Sequence, residues 1–472
     1  MNKVVKGTIW NLIQQYSSYI IKFAVQIVLA RLLMPSEFGL ITEMLVFTNI
    51  CETFAVSGLG KGLIQKIDTD DEDYSTVLCF SMAISALSYC IVFFAAPMIS
   101  SYYHHHELII LLRVYSICIF LDSFQSIQLA YVTKHYLFKL NCIFGLIAAI
   151  VGGLVAIVLA YYGLGVWALV VQGLVTPLVL IVLFQFKIKW NLSLKFNFNR
   201  FKGLFPFSWK VLVSSLIGTV IENVYNMFIG NFYGDEMLGY YNRGNTYSNI
   251  IVGQTRTAMM TTTLPYFSEQ QKDDNLLLNA VRKTTRLSCF VSFPLVFGLM
   301  AVATGFVSVF LTDKWLPAVF FLRLECAFYG VLSLNTGIRN GLLAKGRSDL
   351  GMFTELIKLV LLLVCIFTLN SKGIYVLCVA RIVVSILSCF ISMYFARIVL
   401  NYKIAMMLFD AVKPLAGAAI MGILTYGMSF IKINQVLLLF IQVLFGVCIY
   451  GFYSFLFMRD DVYLIINRLR KK

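Results

Sequence analysis

The chain has 472 residues, of which 60% are hydrophobic and only 13% are charged. Ordinary soluble domains are about 45–50% apolar and about 25% charged, so this composition excludes a soluble enzyme, a disordered chain and a secreted disulfide scaffold. The formal net charge of +15 needs no nucleic-acid partner, because basic residues of membrane proteins gather in cytoplasmic loops. The composition predicts a polytopic membrane protein.

Continuous apolar runs follow one another along the chain, each near the 20 or so residues that a spanning helix requires. Their continuity differs from the alternating pattern of a β-barrel. The sequence therefore predicts an all-α protein with about 14 transmembrane helices. The runs begin near Trp10, Phe38, Val77, Leu108, Phe138, Leu164, Pro206, Met237, Thr285, Leu316, Gly351, Ile374, Ala411 and Val436.

The connections between these runs alternate in charge. Most basic residues fall on one side, and only Arg31, Lys314, Lys372 and Lys432 fall on the other. The positive-inside rule then places both termini in the cytoplasm. The even number of spans agrees.

The sequence also repeats itself at an offset of about 200 residues. Phe38–Ile41 aligns with Leu238–Tyr241, and Thr48–Ile50 aligns with Ser248–Ile250. A repeat of six spans gives two lobes of the same orientation, related by a pseudo-twofold axis along the membrane normal, which is an arrangement of alternating-access transporters. The predicted domains are an N-lobe of six helices (1–186), a basic cytoplasmic linker (187–205), a C-lobe of six helices (206–400), and two final helices with a basic cytoplasmic tail (401–472).

Two polar segments have simple interpretations. Apolar and polar residues alternate through the linker, which fits either an extended segment on the inner leaflet or a plain basic linker. The acidic run from Asp68 to Asp73 is predicted to be a solvated cytoplasmic loop.

Polar side chains of the first span recur every three or four residues, which places them on one face of a helix. An offset of 200 gives a matching face on the seventh span, and the eighth span continues it. Intramembrane polar and charged groups normally face protein or water, so these faces are predicted to line a central cavity. The lining residues are Asn11, Gln15, Ser18, Gln26, Asn226, Asn242, Asn245 and Asn249.

Basic residues within spans suit an anionic cargo, because arginine offers paired donors to phosphate oxygens. The predicted substrate-binding set is Lys22, Arg113, Arg243, Arg256 and Arg323. The predicted gating or coupling acids are Glu222, Asp122 and Glu52, with Lys22 and Glu222 able to pair between lobes in one conformation. The alternative is that deep charges pair with one another to hold the helices together, for which the further candidates are Arg339, Lys358, Arg381, Glu325 and Glu355.

Motifs of catalysis and metal binding are not apparent in the sequence. His104, His105 and His106 form a short run without a further ligand cluster, and Gly58–Gly62 lacks the spacing of a phosphate-binding loop. The sequence predicts no catalytic residue, no metal site and no bound cofactor.

Several stretches resemble the polysaccharide transporters of the multidrug/oligosaccharidyl-lipid/polysaccharide flippase superfamily, and in particular the Wzx-type lipopolysaccharide and O-antigen flippases of bacteria. They are Ala30–Gly39, Gly58–Gly60, Gly163–Leu169, Leu238–Arg243, Asp313–Ala318 and Ala344–Leu350. The chain departs from the family pattern at Gly244, where alanine is expected, and in having no proline between Tyr247 and Gln254.

The resemblance implies a flippase of the bacterial cytoplasmic (inner) membrane that works by alternating access without ATP. Its cargo would be an undecaprenyl-pyrophosphate-linked oligosaccharide, a repeat unit of O-antigen, capsule or exopolysaccharide. Coupling to a proton or sodium gradient is implied, and nothing in the sequence selects the ion. The implied partners are the lipid-linked oligosaccharide, membrane lipids and other polysaccharide-assembly proteins.

Two alternatives stay open. A multidrug/cation antiporter of the same superfamily would have a cavity dominated by acids, whereas here basic residues are prominent. A membrane glycan polymerase or ligase would need an external reaction site, usually on a long loop, whereas the predicted external loops are short.

Overall fold

The computed structural model describes residues 17, 20–56, 60, 63, 69–135, 137–188, 195–431 and 433–459. Regular structure in this part of the chain is entirely helical. In chain order the helices are α1 (20–32), α2 (Pro35–Val56), α3 (Asp71–Tyr103), α4 (Leu108–Lys134), α5 (Phe138–Tyr161), α6 (Val166–Gln185), α7 (198–233), α8 (235–270), α9 (Asp274–Phe310), α10 (Ala318–Ala344), α11 (Ser348–Leu369), α12 (Ile374–Leu400), α13 (Ile404–Gly427) and α14 (Gln435–Phe457).

Helices α7 and α8 are two helices separated by a single non-helical residue. Phe198–Ser248 is helical except at Gly234, whose φ of 81° and ψ of 167° lie outside the helical region. Glycine adopts positive φ without the steric cost that a side chain brings, so it is the natural residue for this break. Beyond Ser248, α8 passes through a π-helical turn at Asn249–Gly253 and continues over Gln254–Gln270.

The predicted fold class and helix number are confirmed for the described residues. Eleven segments are long and apolar enough to cross a bilayer. The other three helices are α1, α7 and α8. The protein is therefore an all-α, multi-pass membrane protein.

The chain divides into two compact units, residues 1–239 and 240–472. Matching devices mark the start of corresponding helices in each half of the sequence. The side chain of Asp70 caps the N-terminus of α3, and that of Asp273 caps α9. Gly165 and Gly373, both with positive φ, precede α6 and α12. These shared boundaries support the internal repeat predicted from the sequence.

The acidic run is not the solvated loop that was predicted. Asp70 accepts from the backbone N–H of Asp73 at 2.9 Å, and the side chain of Asp73 reaches back to the backbone of Asp70. Acidic residues in a first turn also interact favourably with the positive end of the helix dipole. Residues 71–73 therefore form the first turn of α3, while Asp68 lies outside the described residues.

The second part of the predicted linker (187–205) is not a linker, because α7 already begins at Phe198, and the start of this helix is tied to the acidic turn. Oδ1 of Asn197 accepts from the backbone N–H of Asn199 at 3.0 Å, which caps α7 and explains why the helix already begins at Phe198. Arg200 lies 2.8 Å from Asp70 and 3.4 Å from Glu72. An ion-pair network thus links the starts of α3 and α7.

The last two helices pack on α9. Their shared core contains Cys289, Phe293, Ala411, Ala418, Met421 and Tyr450. Arg282 donates to both carboxylate oxygens of Asp410 at 2.9 and 3.1 Å, and the hydroxyl of Tyr402 donates to the same carboxylate at 2.7 Å. Burial, and then the bond to Asp410, raise the pKa of Tyr402, so this phenol stays a hydrogen-bond donor.

Candidate functional site

In the second unit, the polar face of α8 leads into a local change of helix geometry. The hydroxyl of Tyr329 donates to Oδ1 of Asn245 at 2.9 Å, which ties α8 to α10. A Cβ at Gly244 would lie 2.7 Å from the backbone nitrogen of Leu322, so close packing of α8 against α10 accounts for glycine in place of the expected alanine. The π-helical turn follows at Asn249–Gly253, in the region where the family's proline is missing. Such turns are frequent at functional sites.

Four basic residues of the second unit lie together among the spanning helices. They are Arg256 of α8, Arg339 of α10, Lys358 of α11 and Arg381 of α12, and we refer to them as the basic cluster. The positive charges of the other three all interact electrostatically with the Lys358 ammonium. The Lys358 ammonium lies 5.6 Å from the centre of the Phe328 ring. The Arg381 guanidinium lies 4.1 Å from the same ring.

Two acids neutralise part of this charge. Glu355 accepts from Arg339 at 2.8 Å and lies 3.7 Å from Lys358. Glu325 is almost fully buried and accepts from Arg381, which also donates to the hydroxyl of Tyr241. Among the described residues, ion pairs bring two acids to these four basic groups, which favours a positive field in a medium of low dielectric constant.

The spanning helices of the first unit carry acids instead. The carboxyl groups of Glu52 on α2 and Asp122 on α4 interact electrostatically with one another. Both also interact electrostatically with the hydroxyl of Tyr115. Both carboxyls are half-buried, and neither forms an ion pair with a described residue. Two close carboxyls resist simultaneous ionisation, so this pair is chemically suited to share a proton or bind a cation.

A third acid of the first unit, Glu43, is buried where α2 packs against the end of α7. Glu43 of α2 is only 1% exposed, and neither of its carboxyl oxygens has a hydrogen-bond partner. Its Oε1 lies 3.0 Å from the position that a Cβ on Gly230 would take, and Cε1 of Tyr103 lies 2.9 Å from that same position. Asp235, which directly follows the break at Gly234, interacts electrostatically with the Glu43 carboxyl.

The family model for polysaccharide biosynthesis proteins matches residues 28–320, which is more than half of the chain. The chain belongs to this family. Teichuronic acid biosynthesis protein TuaB of Bacillus subtilis strain 168 is 25% identical over 90% of this chain and 89% of its own length. Lipopolysaccharide biosynthesis protein WzxC of Escherichia coli strain K12 is 21% identical over 74% of this chain and 71% of its own length.

Solved structures show the same fold. The lipid II flippase MurJ, in an inward closed conformation, superposes with a TM-score of 0.75 at 16% identity, over 96% of this chain and 100% of MurJ. An inward-facing multidrug resistance MATE transporter of the MOP superfamily gives a TM-score of 0.62 at 13% identity, over 83% of this chain and 98% of the transporter. This polysaccharide biosynthesis protein therefore has the fold of MurJ and of the MATE transporter, as its sequence predicts.

Of the five predicted substrate-binding residues, only Arg256 lies in the basic cluster. Arg243 is 6% exposed and donates to Oδ1 of Asn242 at 3.0 Å. Arg323 donates from Nε to the carbonyl oxygen of Met300 at 3.2 Å.

Arg113 and Arg323 occupy similar settings in the two units. Nε of Arg113 donates to the carbonyl oxygen of Phe93 on α3 at 3.4 Å, and its guanidinium lies 4.1 Å from the Phe93 ring centre. Arg113 and Arg323 follow the starts of α4 and α10 by the same number of residues. Each of these arginines donates to a carbonyl oxygen of the preceding helix. This shared geometry fits an anchor between helices.

The predicted pairing of Lys22 and Glu222 stays a prediction. Both residues are exposed, and neither forms an ion pair with a described residue in this conformation. Asn11, Gln15 and Ser18 lie outside the described residues. The remaining predicted lining residues, Gln26, Asn226, Asn242, Asn245 and Asn249, are all partly buried.

Sequence reasoning missed Glu43, and it treated Arg339, Lys358 and Arg381 only as candidates for pairing. The signal for Glu43 was the repeat itself, since the 200-residue offset aligns it with Arg243. No group of His, Cys, Asp and Glu among the described residues could hold a metal ion.

Proposed function

We propose that this protein flips an undecaprenyl-pyrophosphate-linked oligosaccharide from the inner to the outer leaflet of the bacterial cytoplasmic membrane by alternating access. The basic cluster carries the proposal. A pyrophosphate is a compact dianion or trianion, and the paired donors of arginine match its oxygens. The names of the relatives, which refer to teichuronic acid and lipopolysaccharide biosynthesis, support a glycan cargo.

In this proposal the chain acts as a transporter and not as an enzyme. The membrane lipids and the lipid-linked glycan are its immediate partners, together with other polysaccharide-assembly proteins. The loop charges favour cytoplasmic termini. Reporter tags at both termini and at Asn197 should therefore report the cytoplasm, and a tag at His105 the external side. An external signal from either terminus would contradict this orientation.

Transport can be tested with the full-length protein in liposomes. The probe is a fluorescent, short-chain polyprenyl-pyrophosphate disaccharide, and a membrane-impermeant quencher reports its movement between leaflets. We expect Lys358→Gln to slow flipping about 10-fold or more, since a hydrogen bond to a charged group contributes about 1.5–3 kcal/mol.

Lys413→Gln is the matched control. Lys413 lies in spanning helix α13 but is exposed and outside the basic cluster. Its variant should flip the probe at the wild-type rate. Equal rates for the two variants, at equal amounts of reconstituted protein, would show that the cluster does not bind the cargo.

The acids of the first unit favour one second candidate, an antiporter for organic cations. Glu43, Glu52 and Asp122 are the groups that such a cargo would require. Proton-driven uptake of a fluorescent organic cation into the same liposomes, without flipping of the glycolipid, would establish that function instead.

A further inference from the structure

We infer that Glu43, together with Asp235, forms a proton-binding site whose occupancy holds α2 against the segment 230–235. The inference deepens the proposed function, because it assigns to particular residues the ion that would drive transport.

The first support is the burial of Glu43 without a partner. The residue is 1% exposed, and neither Oε1 nor Oε2 meets a hydrogen-bond donor. An ionised carboxylate in such surroundings costs far more than a neutral carboxyl, whose buried and unmade hydrogen bond costs about 1–3 kcal/mol. The carboxyl therefore carries a proton in this conformation.

The second support is the local backbone, which is built around this side chain. Gly230 leaves the space that the Glu43 carboxyl and the Tyr103 ring occupy, since a Cβ there would lie within about 3 Å of both. One turn before Glu43, a Cβ on Gly39 would overlap the carbonyl oxygen of Asp235. The two segments thus meet backbone to backbone beside the acid.

The third support is the set of ionisable groups around the site. Asp235 acts on Glu43 from the start of α8, and Tyr103 faces it from α3. Tyr102 bonds Asn231 nearby. Two further charged groups lie on α4, which also packs against α2, and each has another partner. Asp122 interacts electrostatically with Glu52, and the Arg113 guanidinium lies over the Phe93 ring. No basic group among the described residues forms an ion pair with Glu43, so a proton is the available counter-charge.

These observations give the site a mechanical role. When the proton leaves, Glu43 and Asp235 repel one another and the ionised Glu43 requires water. Both effects favour separation of α2 from 230–235. Protonation from one side of the membrane and release on the other would then couple the movement of these segments to a proton gradient.

Infrared spectroscopy of the whole protein tests the proton directly. In bilayers of ether lipid, which lack ester carbonyls, a protonated carboxyl has its own C=O stretching band. We expect this band at about pH 7 in the wild type, reduced by one carboxyl in Glu43→Gln. It should be unchanged in the neighbouring exposed control, Glu236→Gln. An unchanged band in Glu43→Gln would overturn the proposal.

The pH dependence gives an independent arm with a second variant. Asp235→Asn removes the like charge that disfavours ionisation of Glu43, so its Glu43 band should disappear at a lower pH than in the wild type. A band that titrates at the same pH would rule out Asp235 as part of the site. The wild type could instead show no Glu43 band but a sodium-dependent thermal stabilisation that Glu43→Gln abolishes. The site would then bind a metal cation, and the proton assignment would be wrong.

Coupling is read from transport. A pH gradient should accelerate flipping by the wild type but not by Glu43→Gln. Equal acceleration of both proteins would show that the proton is not coupled to transport. The spectra need no cargo, so the proton site and the glycan assignment can fail separately.

Discussion

Residues 43 and 243 occupy equivalent positions in the repeated helices α2 and α8, yet one is an acid and the other a base. The repeat aligns Gly39 with Gly239 and so aligns Glu43 with Arg243. Both side chains are buried, at 1% and 6% exposure. Burial of an ionisable side chain is costly, so a functional or structural role for both residues is favoured. The two halves therefore share a backbone plan, with a buried acid at this position in one half and a buried base in the other.

The contrast extends through both units. In the first, Glu43, Glu52 and Asp122 lie within spanning helices without an ion pair among the described residues. In the second, both Glu325 and Glu355 are paired with members of the basic cluster. The comparison indicates a division of labour, with groups suited to protons in one unit and groups suited to an anion in the other.

The largest expected effect comes from breaking the buried pair of the second unit. Arg381→Ala leaves Glu325 charged and 3% exposed at its side chain, which should destabilise the protein by about 3–5 kcal/mol. Thermal unfolding in detergent measures the loss. The double variant Arg381→Met, Glu325→Leu should recover most of it. A single variant as stable as the wild type would show that the pair is not a structural element.

The next effect tests what the two halves share. A Cβ on Gly39 would overlap the carbonyl oxygen of Asp235, and a Cβ on Gly239 would overlap that of Pro35. Gly39→Ala and Gly239→Ala should each cost about 1–3 kcal/mol or more, because backbone must move.

Other helical glycines serve as controls for that experiment. At Gly218 and Gly351 an added Cβ meets nothing within 4 Å. Alanine there should raise the melting temperature slightly, since alanine is favoured over glycine in helices by about 1 kcal/mol. The same downward shift at all four positions would contradict the special contact at Gly39 and Gly239.

A smaller effect of opposite sign should separate the units. Glu52→Gln removes one of two carboxyls that repel one another, so thermal stability should hold or rise, within about 1 kcal/mol. The same change at Glu355 removes the partner of Arg339 and Lys358 and should lower the melting temperature. Destabilisation by both changes would remove the distinction between unpaired and paired acids.

The smallest effect concerns the network at the helix ends of the first unit. Arg200 is 37% exposed at its side chain and contacts Asp70, Glu72 and Asp73. Exposed pairs contribute about 0.2–1 kcal/mol each, and salt screens them. Arg200→Ala should lower the melting temperature by a degree or so. The difference from the wild type should shrink in high salt, and an effect insensitive to salt would point to packing instead.

Hydropathy predicted the number and order of the helices, because continuous apolar runs of spanning length have few other interpretations. It placed four starts late by six residues or more, those of α3, α7, α9 and α13. In two of these cases the predicted runs begin near Val77 and Thr285, whereas α3 and α9 begin at Asp71 and Asp274. These helices extend beyond their apolar stretches on capped, polar turns, which a scale of hydrophobicity does not register.

The candidate site was less accessible from the sequence. A polar stripe along one helix is visible in its spacing, which is how Asn245 and Arg256 were selected. The grouping of Arg339, Lys358 and Arg381 depends on which faces of α10, α11 and α12 meet, and no single-helix period encodes that. Glu43 breaks no stripe and has no charged neighbour in sequence, so only the comparison between repeats could have singled it out.

The π-helical turn at Asn249–Gly253 has a meaning for how the two halves diverged. It holds one residue more than an α-helical turn, so it is the form that a single inserted residue takes in an otherwise continuous helix. Every side chain beyond it is rotated by about 100° relative to the asparagine stripe that precedes it. Arg256 lies beyond this turn, so the direction of its side chain depends on the length of the turn as well as on the residue at that position. In a gene that arose by duplication, one extra codon would be enough to turn a helix face inherited from the common ancestor toward a new partner.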